Sequence, residues 1–235
     1  MSLVDELERD ISEIFDFKDK WNIREGVKVP EPEDIRLGND AIELEAAVLY
    51  ADLEDSTSLV KGHKWWFSAE VYKSYLATTC KIIRANNGYI TSFDGDRVMA
   101  IFIGELKESN AAKCALNINW TVKNLINEEI KKIWPSTSYL VKQAVGVDSG
   151  KIYCARTGIR KFNDIVWIGK AANYAAKLCS VRVDEHSSWI SESVFNKLNQ
   201  NCKYSSLENK LMWASYSWKA TGGTIYGSDW TWKPK

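Results

Sequence analysis

Hydrophobic residues recur at different spacings along this chain, and each spacing predicts a different element. Leu3, Val4, Leu7, Ile11, Ile14 and Phe15 return every three to four positions, which marks one face of a helix. Ser2 and Asp5 are spaced as a capping box at its start. The rest of that helix is charged, so its apolar stripe calls for a partner surface in its own domain or on a second subunit. Trp21 to Asp40 contains Pro30 and Pro32 and reads as an irregular connector. Ala41–Leu53 is then nearly continuous in apolar residues, the pattern of a central strand buried on both faces.

That strand ends at Asp52. Leu53–Thr57 turns, Ser56 or Thr57 can cap the next helix, and backbone amides at such a helix start favour phosphate. Helical spacing from Trp66 predicts a helix to Asn87, stopped by Asn86-Asn87-Gly88 with Gly88 as left-handed cap. Tyr89–Phe93 and Arg97–Ile103 read as a hairpin around Asp94-Gly95-Asp96. A long helix over Glu108–Lys132 comes next, then a strand at Tyr139–Gly150 with Lys151–Arg156 as its hairpin partner. Asp164–Ile168 is a short strand, and Gly169 opens a helix to Val181 whose alanines allow close approach of another backbone. Trp189-Ile190 reads as a brief strand, Ser191 as the cap of a helix to Asn199, and Cys202–Trp232 as antiparallel strands.

The order β-α-β-β-α-β-β-α plus tail predicts an α+β fold of the ferredoxin-like, split βαβ kind, a mixed sheet with helices on one face. It divides into an N-terminal amphipathic helix and linker over residues 1–40, a main domain over 41–200, and a β-rich extension of that domain over 201–235.

Composition narrows the function. Lys+Arg and Asp+Glu each number 31, so no overall charge marks a nucleic-acid or membrane-surface binder. Residues 1–40 hold twelve acids and six bases, a net of −6, which leaves +6 for the remainder. That suits an anionic substrate, or it is a chance imbalance. The five cysteines lack metal-ligand spacing and there are two histidines, which argues against zinc and for reduced core thiols in a cytoplasmic protein. His63 and His186 read as surface or capping residues. The N-terminus lacks the apolar stretch of a signal peptide, and no window reaches the 18 apolar residues of a membrane span.

Asp52 and Asp96, at the ends of neighbouring strands, suit a pair of divalent cations. Magnesium takes one or two carboxylates and keeps its other positions for water and phosphate, and two metals about 3.5–4 Å apart can flank one phosphorus. Strand-end aspartates are also common as caps or solvated turn residues.

At these residues the chain resembles the class III nucleotide cyclases. Leu49-Tyr50-Ala51-Asp52-Leu53-Glu54-Asp55-Ser56-Thr57 is similar to that family's first metal strand, and Gly88–Ala100 to its second-metal hairpin. Val145–Gly150 is similar to its Ile-Gly-Ile-His-x-Gly strand, and Ile168–Leu178 to Ile-Gly-Asp-x-Val-Asn-x-Ala-Ala-Arg-Leu. The four motifs lie in family order over about residues 41–200. The resemblance implies two cations, Mg²⁺ or Mn²⁺, at Asp52, Leu53 and Asp96, and phosphate held by the Leu53–Thr57 turn with Ser56 and Thr57. It implies Asn173 orienting the ribose. Lys177 stands where the family has a transition-state arginine, and lysine keeps the charge but loses the planar fork. It also implies a head-to-tail homodimer whose composite sites take Asn173 and Lys177 from the second chain, so that a monomer is inactive.

The base-reading positions depart from the family. Where adenylyl cyclases place a lysine and an aspartate or threonine, this chain has Ser92 and Val166, and the glutamate–cysteine pair of guanylyl cyclases is also missing. Tyr50 replaces a common phenylalanine, and Arg97 stands where small residues are usual. Tyr50 reads as a base contact or a core aromatic, and Arg97 as a base or phosphate contact or a solvated hairpin charge. Loss of both purine readers argues against ordinary purine selection. The pattern resembles the bacterial pyrimidine cyclases of Pycsar anti-phage defence, especially the uridylate-producing branch. This implies UTP as substrate, cyclic UMP as product and a separate effector protein that reads it. A cyclase making cyclic CMP, a purine cyclase with atypical readers, an inactive nucleotide-binding dimerisation module and a palm-type nucleotidyltransferase remain open as alternatives.

Overall fold

A computed structural model describes residues 2–15, 20–159, 161–218 and 222–235. Its helices are α1 Leu3–Phe15, α2 Ser56–Gly62, α3 Trp65–Ala85, α4 Lys107–Thr121, α5 Asn127–Ile133, α6 Lys170–Leu178, α7 Glu192–Lys197 and α8 Gln200–Lys203. Its strands are β1 Asn22–Glu25, β2 Asp40–Leu53, β3 Tyr89–Asp94, β4 Arg97–Phe102, β5 Gln143–Ile159, β6 Phe162–Ile168, β7 Ser188–Ser191, β8 Ala214–Trp218 and β9 Gly223–Ser228. The chain forms two compact units. One comprises residues 1–45 and 151–169, the other residues 46–150 and 170–235.

In the larger unit the strand order is β3-β4-β2-β5-β7-β9-β8. β5 and β7 run parallel, while β3/β4, β2/β4, β7/β9 and β8/β9 are antiparallel. The result is the mixed, mostly antiparallel sheet covered by helices that the element order predicts.

Side-chain alternation assigns the faces. Ala47, Leu49, Ala51 and Leu53 of β2, Val98, Ala100 and Phe102 of β4, and Val145 and Val147 of β5 all enter one large core. Phe67, Val71, Tyr75, Ile82 and Ile83 of α3, with Ala111, Ala115 and Ile118 of α4, close it. The intervening Gly146 faces the other way. A Cβ there would lie 2.2 Å from the Ala175 carbonyl and 2.3 Å from the Cys179 amide. Likewise Ile190 joins the large core, while its neighbour Trp189 packs with Leu178 and Ile225. So α6 covers the face opposite α3 and α4, and the expectation of helices on one face is corrected. The alanine-rich side of α6 (Ala171, Ala172 and Ala175 are buried) is what lets its backbone settle against a glycine.

The C-terminal segment is tied to α4 by buried amides. Asn117 Nδ2 donates to the Trp232 carbonyl, and its Oδ1 accepts from Asn86. Asn119 Nδ2 donates to the carbonyls of Asp229 and Trp230. Such bonds satisfy backbone groups that have no strand partner.

In the smaller unit, β1 pairs in parallel with Asp40–Glu43, and β6 pairs antiparallel with Tyr153–Ile159. The buried Asp40 carboxylate gathers Asn22 Nδ2, Arg24 Nη2 and the Arg36 amide. Burial alone would raise its pKa; these three donors hold it below the usual carboxylate range. The Ser2/Asp5 capping box of α1 forms as expected. No residue of α1 is buried, and Leu3, Ile14 and Phe15 are at least 70% exposed.

Several boundaries differ from the sequence expectations. A strand, β1, lies inside the connector. Residues 143–159 form one strand, so Lys151–Arg156 does not fold back; its partner is β6. The long helix is interrupted by a π-helical turn at Val122–Ile126. Asn87, not Gly88, takes the left-handed conformation after α3. Gly88 is needed for room instead, since a Cβ would meet Phe102 and Ile83 at 2.6–2.7 Å. Part of the expected tail strands falls on residues 219–221, outside the described residues. No helix among the described residues is long and apolar enough to cross a membrane.

The Gly146 contact yields a stability prediction. Gly146→Ala should lower the unfolding free energy by about 1–3 kcal/mol, read from urea denaturation. Gly62→Ala, at a helical position with open space around it, should leave the midpoint unchanged or raise it.

Candidate active site

The site is built by strand register. β2 and β4 pair Ala51 with Val98 and Tyr50 with Met99. β3 and β4 pair Ser92 with Met99 and Asp94 with Arg97, around a turn in which Gly95 has φ +61°. Residues paired directly across antiparallel strands share a face. Ser92, Met99 and Tyr50 therefore form one row across three strands, on the face away from α3 and α4. One step further along, the same register brings Asp94, Arg97 and Asp52 into a second row. The sequence-predicted residues Tyr50, Ser92, Arg97 and Asp52 are thus brought together.

The second row contains an ion pair. Arg97 Nη2 and Nε donate to the same oxygen, Asp52 Oδ2, at 2.9 and 3.2 Å. The Asp52 side chain is 16% exposed and that of Arg97 32%. Asp96, next to Arg97 in the turn, is different. Its Oδ2 is buried and has no hydrogen-bond partner among the described residues. Burying a carboxylate oxygen without a partner costs free energy that a bound cation would recover.

Both carboxylates act on one buried hydroxyl. Burial pushes the Tyr75 pKa well up, and Cys179, Asp52 and Asp96 add to the rise. Burial likewise lifts Tyr139 to about 12, with Tyr72, Asp55 and Asp96 contributing. Tyr50 is half-buried, and desolvation raises its hydroxyl while Arg97 pulls it back. No cluster of three or more histidine, cysteine or acidic side chains suited to a metal occurs among the described residues, which leaves Asp52 and Asp96 as the carboxylates of the two strand ends. Carboxylates of this kind suit hard cations such as magnesium or manganese, which take one or two of them and leave positions for water and phosphate.

The turn after β2 differs in detail from the expectation. Asp55, at φ 55°, is the residue before α2, and its Oδ1 accepts from Ser58 Oγ at 2.7 Å. Neither Ser56 nor Thr57 is the cap; both lie in the first turn of α2. The Glu54 amide donates to the Lys142 carbonyl, so it is already engaged. The Glu54 carboxylate holds Arg182 Nε at 2.8 Å.

Asn173 and Lys177 lie one turn apart on the exposed side of α6. Lys177 Nζ sits 5.9 Å from the Tyr174 ring centre, and neither residue bonds Asp52 or Asp96 among the described residues. Val166, on β6 in the smaller unit, pairs with Ala155 of β5 and is 40% exposed.

Other candidates resolve as structural. Asp148, where the resemblance expects histidine, is buried and accepts from the hydroxyls of Ser191 and Ser193. All five cysteines are free thiols, four of them buried, and burial raises Cys154 and Cys179 to about 12. His63 ends α2 and stacks on Phe67. His186 is half-buried and bonds the Tyr216 hydroxyl. The Asp52–Arg97 pair is the feature sequence reasoning missed; its signal was the hairpin register, which places position 97 across from position 52.

No protein-family model matches the chain. A uridylate cyclase of Burkholderia cepacia is 45% identical over 234 residues, 99% of each chain. A uridylate cyclase of Xanthomonas perforans is 41% identical over 235 residues, again 99% of each. Among solved structures, the adenylyl cyclase CyaB from P. aeruginosa superposes with a TM-score of 0.67 at 17% identity, over 83% of this chain and 98% of that one. The last likeness concerns the fold. With the two full-length relatives beside it, the chain belongs to the uridylate cyclase family and is a nucleotide cyclase with the class III architecture.

Proposed function

We propose that the protein converts UTP into 3′,5′-cyclic UMP and pyrophosphate. Full-length relatives named for uridylate chemistry carry this reading. The Ser92–Met99–Tyr50 row supports it, because it holds neither the lysine nor the carboxylate of a purine reader. Tyr50 adds bulk and a hydroxyl, and a narrowed base site favours a pyrimidine.

The reaction forms a bond between the ribose 3′-oxygen and the α-phosphorus and breaks the bond to the β-phosphate oxygen. The 3′-hydroxyl proton goes to solvent, and pyrophosphate leaves. Two divalent cations, Mg²⁺ or Mn²⁺, would supply charge neutralisation for the attacking oxygen and the triphosphate. Asp52 and Asp96 would hold them, with Leu53 at the strand end beside them. Ser56 and Thr57 serve the triphosphate. Tyr50, Ser92 and Arg97 serve the base side of the nucleotide, and Val166 occupies the family's second base-reading position. Asn173 orients the ribose, and the Lys177 ammonium offsets negative charge growing on the transferred phosphoryl group.

In this reading Asn173 and Lys177 serve the carboxylates of a second copy, in a head-to-tail homodimer. Their exposure on α6, apart from any bond to Asp52 or Asp96, supports that assignment. The 41–200 segment is the catalytic domain, 1–40 its N-terminal helix and linker, and 201–235 its extension. The enzyme acts in the cytoplasm, and its product serves anti-phage defence through a separate effector protein.

Incubation with each of the four nucleoside triphosphates and Mn²⁺, with products resolved by mass spectrometry, should give cyclic UMP as the main cyclic product. Dominant cyclic AMP, GMP or CMP would contradict the assignment. Asp96→Asn and Lys177→Ala should each lower kcat by about a hundredfold or more with the circular dichroism spectrum unchanged. Lys177→Arg should retain activity. Mixing Asp96→Asn with Lys177→Ala should restore part of it, because one of the two sites in a mixed dimer then has both functional halves. Failure of the mixture to recover, with dimers present by light scattering, would rule out the shared site.

A further inference from the structure

The two carboxylates of the site are not equivalent, and the difference lies in Arg97. Asp52 already carries a counter-ion from its own chain, with two guanidinium N–H groups converging on one oxygen. Asp96 carries no such partner among the described residues, and its buried Oδ2 is unsatisfied. A divalent cation approaching Asp96 meets a carboxylate that gains by binding it. The same cation approaching Asp52 meets an oxygen whose lone pairs are engaged and whose charge is offset.

We propose that Arg97 is an exchangeable counter-ion that holds Asp52 until a divalent cation displaces it. Cation binding at Asp52 and release of the Arg97 guanidinium are then one event. The released side chain remains on the face that carries Tyr50 and Ser92, where the nucleotide is expected. Cation and nucleotide affinities would therefore be coupled through a single side chain, and such coupling is reciprocal. Arg97 is a positioning residue here: it acts through Asp52 before substrate arrives. The inference rests on the two-cation reading of Asp52 and Asp96.

The test is Mn²⁺ binding to the full chain without nucleotide, read by electron paramagnetic resonance of the free ion. Arg97→Met removes both charge and donors and should tighten Mn²⁺ binding about two- to fivefold, the range for loss of one partly exposed ion pair. Arg97→Lys keeps the charge and loses the converging fork. It too should bind Mn²⁺ more tightly than the wild type. Tightening in the methionine variant alone would mean that Arg97 acts only through its general field, and the exchange would be overturned. Equal or weaker binding in both would overturn it as well. Asp52→Asn and Asp96→Asn separate the two readings. If neither alters Mn²⁺ binding, the two-cation site itself fails; if both weaken it while the Arg97 variants leave it unchanged, only the exchange fails. Thermal unfolding without metal confirms that each variant is folded.

Discussion

The antiparallel register of β2 with β4 is the constraint on which the rest depends. Pairing Ala51 with Val98 sends alternate residues into the core beneath α3 and α4. The same pairing turns Tyr50, Asp52, Arg97 and Met99 to the other face. A slip of one residue would exchange the two sets, burying charges and exposing valine and alanine. Core packing therefore enforces the chemistry: the apolar positions cannot be satisfied without placing Asp52 opposite Arg97 and Tyr50 beside Met99.

The opposite face must stay close enough to α6 to be covered and open enough at its strand ends to admit a nucleotide. Gly146 and the alanines of α6 solve the first part by letting two backbones approach without side chains between them. The second part is left to strand ends and a hairpin turn, where Asp52 and Asp96 reach the surface of the sheet. The two carboxylates differ in how far their polarity is matched. One carboxylate is neutralised by a neighbouring guanidinium and the other has a buried oxygen without a partner among the described residues. A binding site often keeps such unmet demand, which a ligand then satisfies.

Much of this is legible in the chain itself. The apolar run of β2, the Asp-Gly turn of the hairpin and the alanines of α6 each have one strong local cause, and each element forms where its pattern places it. The capping residues Ser2 and Ser191 are readable for the same reason. The features that escape a sequence reading depend on partners far away in the chain. β1 has four exposed residues and exists through its pairing with Asp40–Glu43, so no hydrophobic period announces it. Gly150 looks like a breaker, yet β5 continues through it, because the strand is held by neighbours that the local pattern does not show. Asn87 takes the left-handed position expected of Gly88, and what the glycine supplies is room against Phe102. Within the site, the aspartates are recognisable by motif, whereas the Arg97–Asp52 contact requires the inter-strand register.

In the proposed function this register assembles a two-cation, pyrimidine-reading site. A crystal structure with Mn²⁺ and a non-cyclisable UTP analogue tests it most directly through the anomalous signal of manganese. Two manganese peaks held by Asp52 and Asp96, with uracil against Tyr50 and the partner chain's α6 at the ribose, are the expected result. Manganese bound elsewhere, or a nucleotide seated away from the Ser92–Met99–Tyr50 row, would contradict it.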